Sequence, residues 1–176
     1  MYRILAGLLI SLLALFSGTA IAYADEEIKK YIVEMTPLNG SGVYATVEAE
    51  VLNGKALNVS IRASGLEPDK IHPQHVHGID DPVKNATCPT QEADINGDGI
   101  ISLAEGVPSF GPIVLPLFPF NLVEASGNLN YKASFTIKPG DLQPLHKRAV
   151  VLHGKTVNGD YIPSLPVACG ELVQVN

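Results

Sequence analysis

Three of the five histidines crowd into His72-Pro73-Gln74-His75-Val76-His77. On a strand, residues two apart face the same side, so His75 and His77 point together while Val76 faces away. Two imidazoles on one face are a ready pair of nitrogen ligands, a donor type that suits copper and zinc. A third ligand must come from elsewhere. His153, closing the apolar run Ala149-Val150-Val151-Leu152, is the natural candidate. A lone histidine is most often a satisfied surface or core residue, but a His-x-His on a strand favours metal. His146 lies seven residues before His153, and on a common strand that odd spacing puts it on the opposite face.

A second constellation takes a different cation. Asp94-Ile95-Asn96-Gly97-Asp98-Gly99-Ile100-Ile101-Ser102-Leu103-Ala104-Glu105 follows the EF-hand loop. Asp94, Asn96 and Asp98 occupy positions 1, 3 and 5. Gly99 marks the sharp turn, Ile100 offers its carbonyl at position 7, Ile101 is the apolar residue at position 8, and Glu105 is the bidentate ligand at position 12. A hard cation wants six or seven oxygens, and a tight loop brings alternate side chains to one centre. The competing reading is a solvated acidic turn. Pro89 before the loop, and Gly106 and Pro108 after it, leave no room for two full helices. Ser102-Leu103-Ala104-Glu105 has capping-box residues and is expected to form at most a turn. The loop therefore reads as structural calcium rather than a helix-swinging sensor.

The chain around these sites is acidic, with formal net charge −6. An acidic chain without basic clusters argues against nucleic acid or an anionic membrane surface as partner and fits cation binding. Residues 1–24 carry Arg3, an apolar run from Ile4 to Phe16, and Ala22-Tyr23-Ala24. That is the form of a cleaved secretory signal, too short in its apolar part to leave a stable membrane span. Its removal takes the formal charge from −6 to −7. One domain, residues 25–176, remains, exported to the periplasm or secreted. Cys88 and Cys169 both lie in it. In an oxidising compartment two cysteines usually pair. A copper thiolate or metal-bound pair is the alternative, and their wide separation without a C-x-x-C favours a structural disulfide.

The elements that must position these residues are strands. Ala45, Val47, Ala49 and Val51 alternate with polar residues before Asn53-Gly54, and Leu57, Val59, Ile61 and Ala63 do so after it. Period two on both sides of Asn-Gly predicts a hairpin with one buried face. Leu129 to Ile137 alternates likewise. Tyr31 to Thr36, Arg148 to His153 and Val167 to Val175 read as further strands, with turn dipeptides at Asn39-Gly40, Pro139-Gly140 and Asn158-Gly159. Many short strands predict an all-β sandwich or barrel. The apolar, Pro-rich segment 110–123 does not read as a central strand. It reads either as a loop packed on its own domain or as a contact surface for a protein partner.

The run Gly65-Leu66 through His72-Pro73-Gln74-His75-Val76-His77-Gly78 resembles the copper-binding segment of Cu,Zn superoxide dismutases. Arg148-Ala149-Val150-Val151-Leu152-His153-Gly154 is similar to the strand bearing that family's last copper histidine, and Ala168-Cys169-Gly170 resembles its closing Ala-Cys-Gly. The resemblance implies a Greek-key β-barrel or sandwich of about eight strands. It also implies copper on His75, His77 and His153, with His72 as a nearby outer residue, and a Cys88–Cys169 bond tying a long loop to the barrel. The departures are equally specific. No histidine lies between His77 and His146, so the family's bridging and zinc histidines have no counterpart, and zinc is not expected. Pro166 stands where the family places an Arg that guides superoxide. Two functions follow side by side: a non-catalytic copper- and calcium-binding protein, and a copper-only superoxide dismutase of the cell envelope. The His-x-His-Gly segment and Gly170-Glu171 also resemble the CHRD domain, regarded as a non-catalytic module.

Overall fold

The computed structural model describes residues 27–81, 83–138, 140–142 and 144–175. The expected signal peptide, residues 1–24, lies outside them, as does Pro139 of one expected turn. Among the described residues nine strands form: β1 (Ile28–Pro37), β2 (Tyr44–Leu52), β3 (Ala56–Ser64), β4 (Gln74–His77), β5 (Ile113–Pro116), β6 (Leu129–Thr136), β7 (Ala149–Val157), β8 (Asp160–Glu171) and β9 (Val173–Val175). One α-helix, α1 (Leu103–Phe110), lies between β4 and β5. All pairings are antiparallel, in the order β5-β4-β7-β8-β1-β2-β3-β6, with β9 added on β1. The order is Greek-key in character, since β6 returns beside β3 and β7 beside β4. The expected all-β Greek-key sandwich is thus borne out.

The β2–β3 hairpin forms as its alternation dictates, with Val47 opposite Ile61 and both fully buried. Asn39, Asn53 and Asn158 and their following glycines all have positive φ, the conformation that lets two-residue turns match the twist of their strands. Inward residues of both halves of the sheet build one core. Val47, Leu57, Ile61, Leu129 and Tyr131 on one side meet Val76, Val150, Leu152 and Val167 on the other. Each fully buried aliphatic side chain contributes roughly 1.5–3 kcal/mol.

A second, smaller cluster lies on the opposite face of the β4–β7–β8 sheet. Leu38, Ala86, Phe110, Ala149, Val151 and Cys169 form it, with Cys88 and Leu103 against them. This is the lining of the long 78–112 loop, which folds back over the sheet. The Cys88–Cys169 disulfide pins it, with Cα atoms 5.7 Å apart. A backbone bond from Ala86 to Lys147 does so as well, while one from Thr87 to Ser109 closes the loop on itself.

Four expectations need correction. The strand expected over 167–175 is split at Leu172 into the end of β8 and β9. β8 also begins much earlier, at Asp160, and carries Pro163 and Pro166. The ladder shifts register on either side of His153, opposite Pro166, which is where a residue without an N–H is tolerated. The single turn expected at Ser102–Glu105 continues as α1 to Phe110. Both halves of the capping box form, and Pro108 sits where α1 is already about to end at Gly111. His146 is on no strand: it lies exposed in a 3-10 turn ahead of β7, so the parity argument does not apply to it. Finally, the Pro-rich segment contributes β5, an edge strand on β4, with Pro116 at its end.

Candidate metal centre

β4 presents His75 and His77 on the face away from the main core while Val76 points into it. β7 runs alongside, pairing His75 with Val151 and His77 with Ala149. His153 follows at the register shift, with Gly154 next at φ 108. A Cβ at Gly154 would strike the Tyr161 hydroxyl, so glycine alone lets the strand kink there and aim His153. The backbone N–H of His153 donates to the Pro73 carbonyl, fastening the two strands at the level of the histidines.

The three imidazoles converge. Their potential ligand atoms all lie within 4.8 Å of one another, the one such set of three His, Cys, Asp or Glu among the described residues. Ring centroids are 5.0 Å apart for His75 and His153, 5.6 Å for His77 and His153, and 5.7 Å for His75 and His77. His75 Nδ1, His77 Nε2 and His153 Nε2 are buried without any hydrogen-bond partner. The opposite nitrogens of two rings are held. His77 Nδ1 lies 2.9 Å from the Gly111 carbonyl and His153 Nδ1 lies 3.0 Å from that of Ser164. A carbonyl accepts only from N–H, so both rings carry their proton at Nδ1 and turn an Nε2 lone pair inward.

Burial keeps these rings neutral. It pushes His153 down to about 3, with the neighbouring His75 adding to the effect. It pushes His75 down to about 4, His77 assisting. His77 is lowered by burial, opposed by its Gly111 bond. Three neutral, converging, unpartnered nitrogens are an unfavourable arrangement in themselves, since a buried polar atom without a partner costs about 1–3 kcal/mol. They fit a metal that favours imidazole, such as copper.

His72 is buried but takes no part in the cluster. Its Nδ1 is 3.1 Å from the His153 carbonyl and its Nε2 is 3.0 Å from that of Glu67. It therefore ties the loop before β4 to the backbone of His153. Glu67 adds a second tie, accepting from the Thr156 N–H and hydroxyl.

Sequence reasoning missed the residues that the 78–112 loop and the Pro-rich segment lay over the histidines. Phe110, last in α1, packs its ring 4.6 Å from that of His77, and Gly111, its C-cap, supplies the carbonyl just named. Gly111 has φ 79, and a Cβ there would collide with the Gly78 carbonyl, so the neck of the loop closes only on glycine. Phe120 meets His75 edge-on at 5.4 Å. The capping box at Ser102–Glu105 was legible in the sequence; the helix it opens, its C-cap at Gly111 and the contact with His77 were not.

The acidic segment 94–105 runs from a 3-10 turn (Gln91–Ala93) into the first turn of α1. Asp94 accepts from the N–H groups of Gly97, Asp98 and Gly99, Asn96 from that of Asp98, and Asp98 from that of Ile100. Glu105 accepts from the Ser102 N–H and hydroxyl, which hold its carboxyl below the usual range. Ile101 is buried, and its N–H and carbonyl are both bonded by the carboxamide of Asn39, which also donates to the Pro166 carbonyl. One side chain on the β1–β2 turn thus fixes the acidic loop to the sandwich.

No protein-family model matches the chain, and no curated protein matches it. Among solved structures it is similar to a double mutant of a SOD-like protein from Bacillus subtilis. The TM-score is 0.48 and the identity 18%, over 81% of this chain and 96% of that one. It is also similar to superoxide dismutase 5 of Candida albicans in its Cu(II) form. There the TM-score is 0.43 and the identity 15%, over 84% of this chain and 93% of that one. These are likenesses of chain path, and the histidine geometry stands apart from them.

Proposed function

We propose that this is an exported metal-binding protein that holds copper through His75, His77 and His153 and calcium through the loop 94–105. One observation carries the copper assignment: three buried imidazole nitrogens converge with no protein partner, while the far nitrogens of His77 and His153 are locked by backbone carbonyls. Copper bound there would supply one-electron chemistry. The protein's own part is to fix two tautomers, cover the His77 ring with Phe110 and one edge of the His75 ring with Phe120, and hold the His153 backbone through His72. Calcium rests on the loop spacing, with Asp94, Asn96, Asp98, the Ile100 carbonyl and Glu105 as ligands. The disulfide fits an oxidising compartment, and with it export by the signal at residues 1–24.

A copper-only superoxide dismutase is the second reading. His75, the one half-buried member of the three, leaves an edge of the cluster open to a small reactant, which favours it. The position matching the family's guiding Arg is filled by the buried Pro166, which weighs towards a binding role.

The experiment is elemental analysis of protein purified from an oxidising compartment without chelator. About one copper and one calcium per chain is expected. His75→Ala and His153→Ala should each remove the copper and leave the calcium. Unchanged copper affinity in both variants would overturn the site.

A further inference from the structure

A pocket of about 260 Å³ opens beside the histidine cluster. Its floor is His75 and His153, and its walls are Pro73, Leu103, Ile113, Phe120, Pro163 and Ser164. Not one of these carries a formal charge. Ser164 is the only hydroxyl among them, and its carbonyl is already taken by His153. The walls come from four separate segments, namely the turn before β4, the start of α1, the Pro-rich segment and β8. The arrangement is therefore a product of the fold rather than of one loop.

We infer that in the metal-free protein this pocket takes a neutral, ring-sized organic molecule in preference to an anion of the same size. The inference rests on the proposed histidine site for the nature of the floor, while the walls stand independently of it. The argument is one of charge and size. In the metal-free protein an anion seated there would give up water against apolar walls that offer no cation and few donors, which is unfavourable. With a formal charge of −6 overall, the chain adds no attraction for it. A neutral ring meets the reverse conditions. Phe120 is available for edge or face contact, and proline and branched aliphatic walls reward apolar burial. An apolar cavity of about 150 Å³ admits benzene, whereas pockets for drug-sized ligands begin near 300 Å³. A volume of 260 Å³ lies between these, which suits a single substituted ring.

The test is methyl NMR of the purified protein, metal-free and copper-loaded in parallel, titrated with phenol and with benzoate. The two probes share a ring and differ in charge. Phenol should shift the Leu103 and Ile113 methyls of the metal-free protein, with at least tenfold higher affinity than benzoate. Ile113→Asp, on a half-exposed edge strand, should abolish the response. Phe120→Leu, which keeps the pocket apolar, should weaken it severalfold without a charge change. Equal affinity for benzoate, or shifts confined to the exposed Leu122, would overturn the inference. If copper fails to bind while phenol still does, the metal reading falls and the pocket assignment stands. If copper binds and phenol does not, the pocket assignment falls alone.

Discussion

Removing the Cys88–Cys169 bond with Cys88→Ala and Cys169→Ala tests how the long loop is held. The bond joins positions 81 residues apart. Closing a loop of that length restricts the unfolded chain by an amount worth about 4.5 kcal/mol at 25 °C. Cys169 is also buried in the outer cluster against Ala149 and Val151, so loss of its sulfur adds on the order of 1 kcal/mol. In urea, a domain of this size has a slope of roughly 2 kcal/mol/M, so the unfolding midpoint should fall by about 2–3 M. The native loop retains other anchors, among them the Ala86–Lys147 bond, the bond from the residue 88 N–H to Glu171 and the Asn39 clamp on Ile101. Fold and loop position should therefore survive at low denaturant, and the His77–Gly111 bond with them. The assay is equilibrium urea unfolding followed by far-ultraviolet circular dichroism, with the slope compared between variant and parent. A loss below about 1.5 kcal/mol at unchanged slope would refute the entropic reasoning. A native-state spectrum of free His77 in the variant would refute the claim that the other anchors suffice.

Further outcomes follow from the same geometry. The metal-free protein should lose stability as pH falls from 6.5 towards 4. The unfolded histidines take up protons in that window, whereas His75 and His153, held down at about 4 and about 3, do not. A melting temperature flat between pH 6.5 and 4.5 would contradict this, because the carboxylates with lowered values, Glu67, Asp81 and Glu105, act at and below the lower end of that window. Asp94→Ala combined with Glu105→Ala should abolish calcium-dependent stabilisation, which at a hundredfold excess over Kd is about 2.7 kcal/mol in the parent. Differential scanning calorimetry with calcium and with chelator reads it. Gly154→Ala should lower metal affinity more than tenfold by displacing Tyr161 or the His153 backbone, measured by competition with a chromogenic chelator; unchanged affinity would show that the kink is dispensable.

The sequence by itself determined the strands whose two faces differ. Ala45 to Val51 and Leu57 to Ala63 could bury only one face each, and Asn53-Gly54 supplied a turn that their twist favours, so the hairpin was legible without tertiary information. The same parity placed His75 and His77 together. The Cys88–Cys169 pairing was open to reasoning because only two thiols exist. Other features were decided by contacts that no local pattern encodes. β8 reads as broken at Pro163 and Pro166, yet it is a strand because its partner β7 changes register at His153 and asks no hydrogen bond of Pro166. α1 outlasts its capping box because Phe110 finds the His77 ring and the outer face of the sheet to pack against. Asn39 looks like an ordinary turn residue, and only the folded chain brings Ile101 to its carboxamide. Spacing names the residues that share a face of one strand. Which face a distant loop covers, and which carbonyl locks a ring nitrogen, is settled by packing across the whole chain, where burial of the outer cluster outweighs local preference.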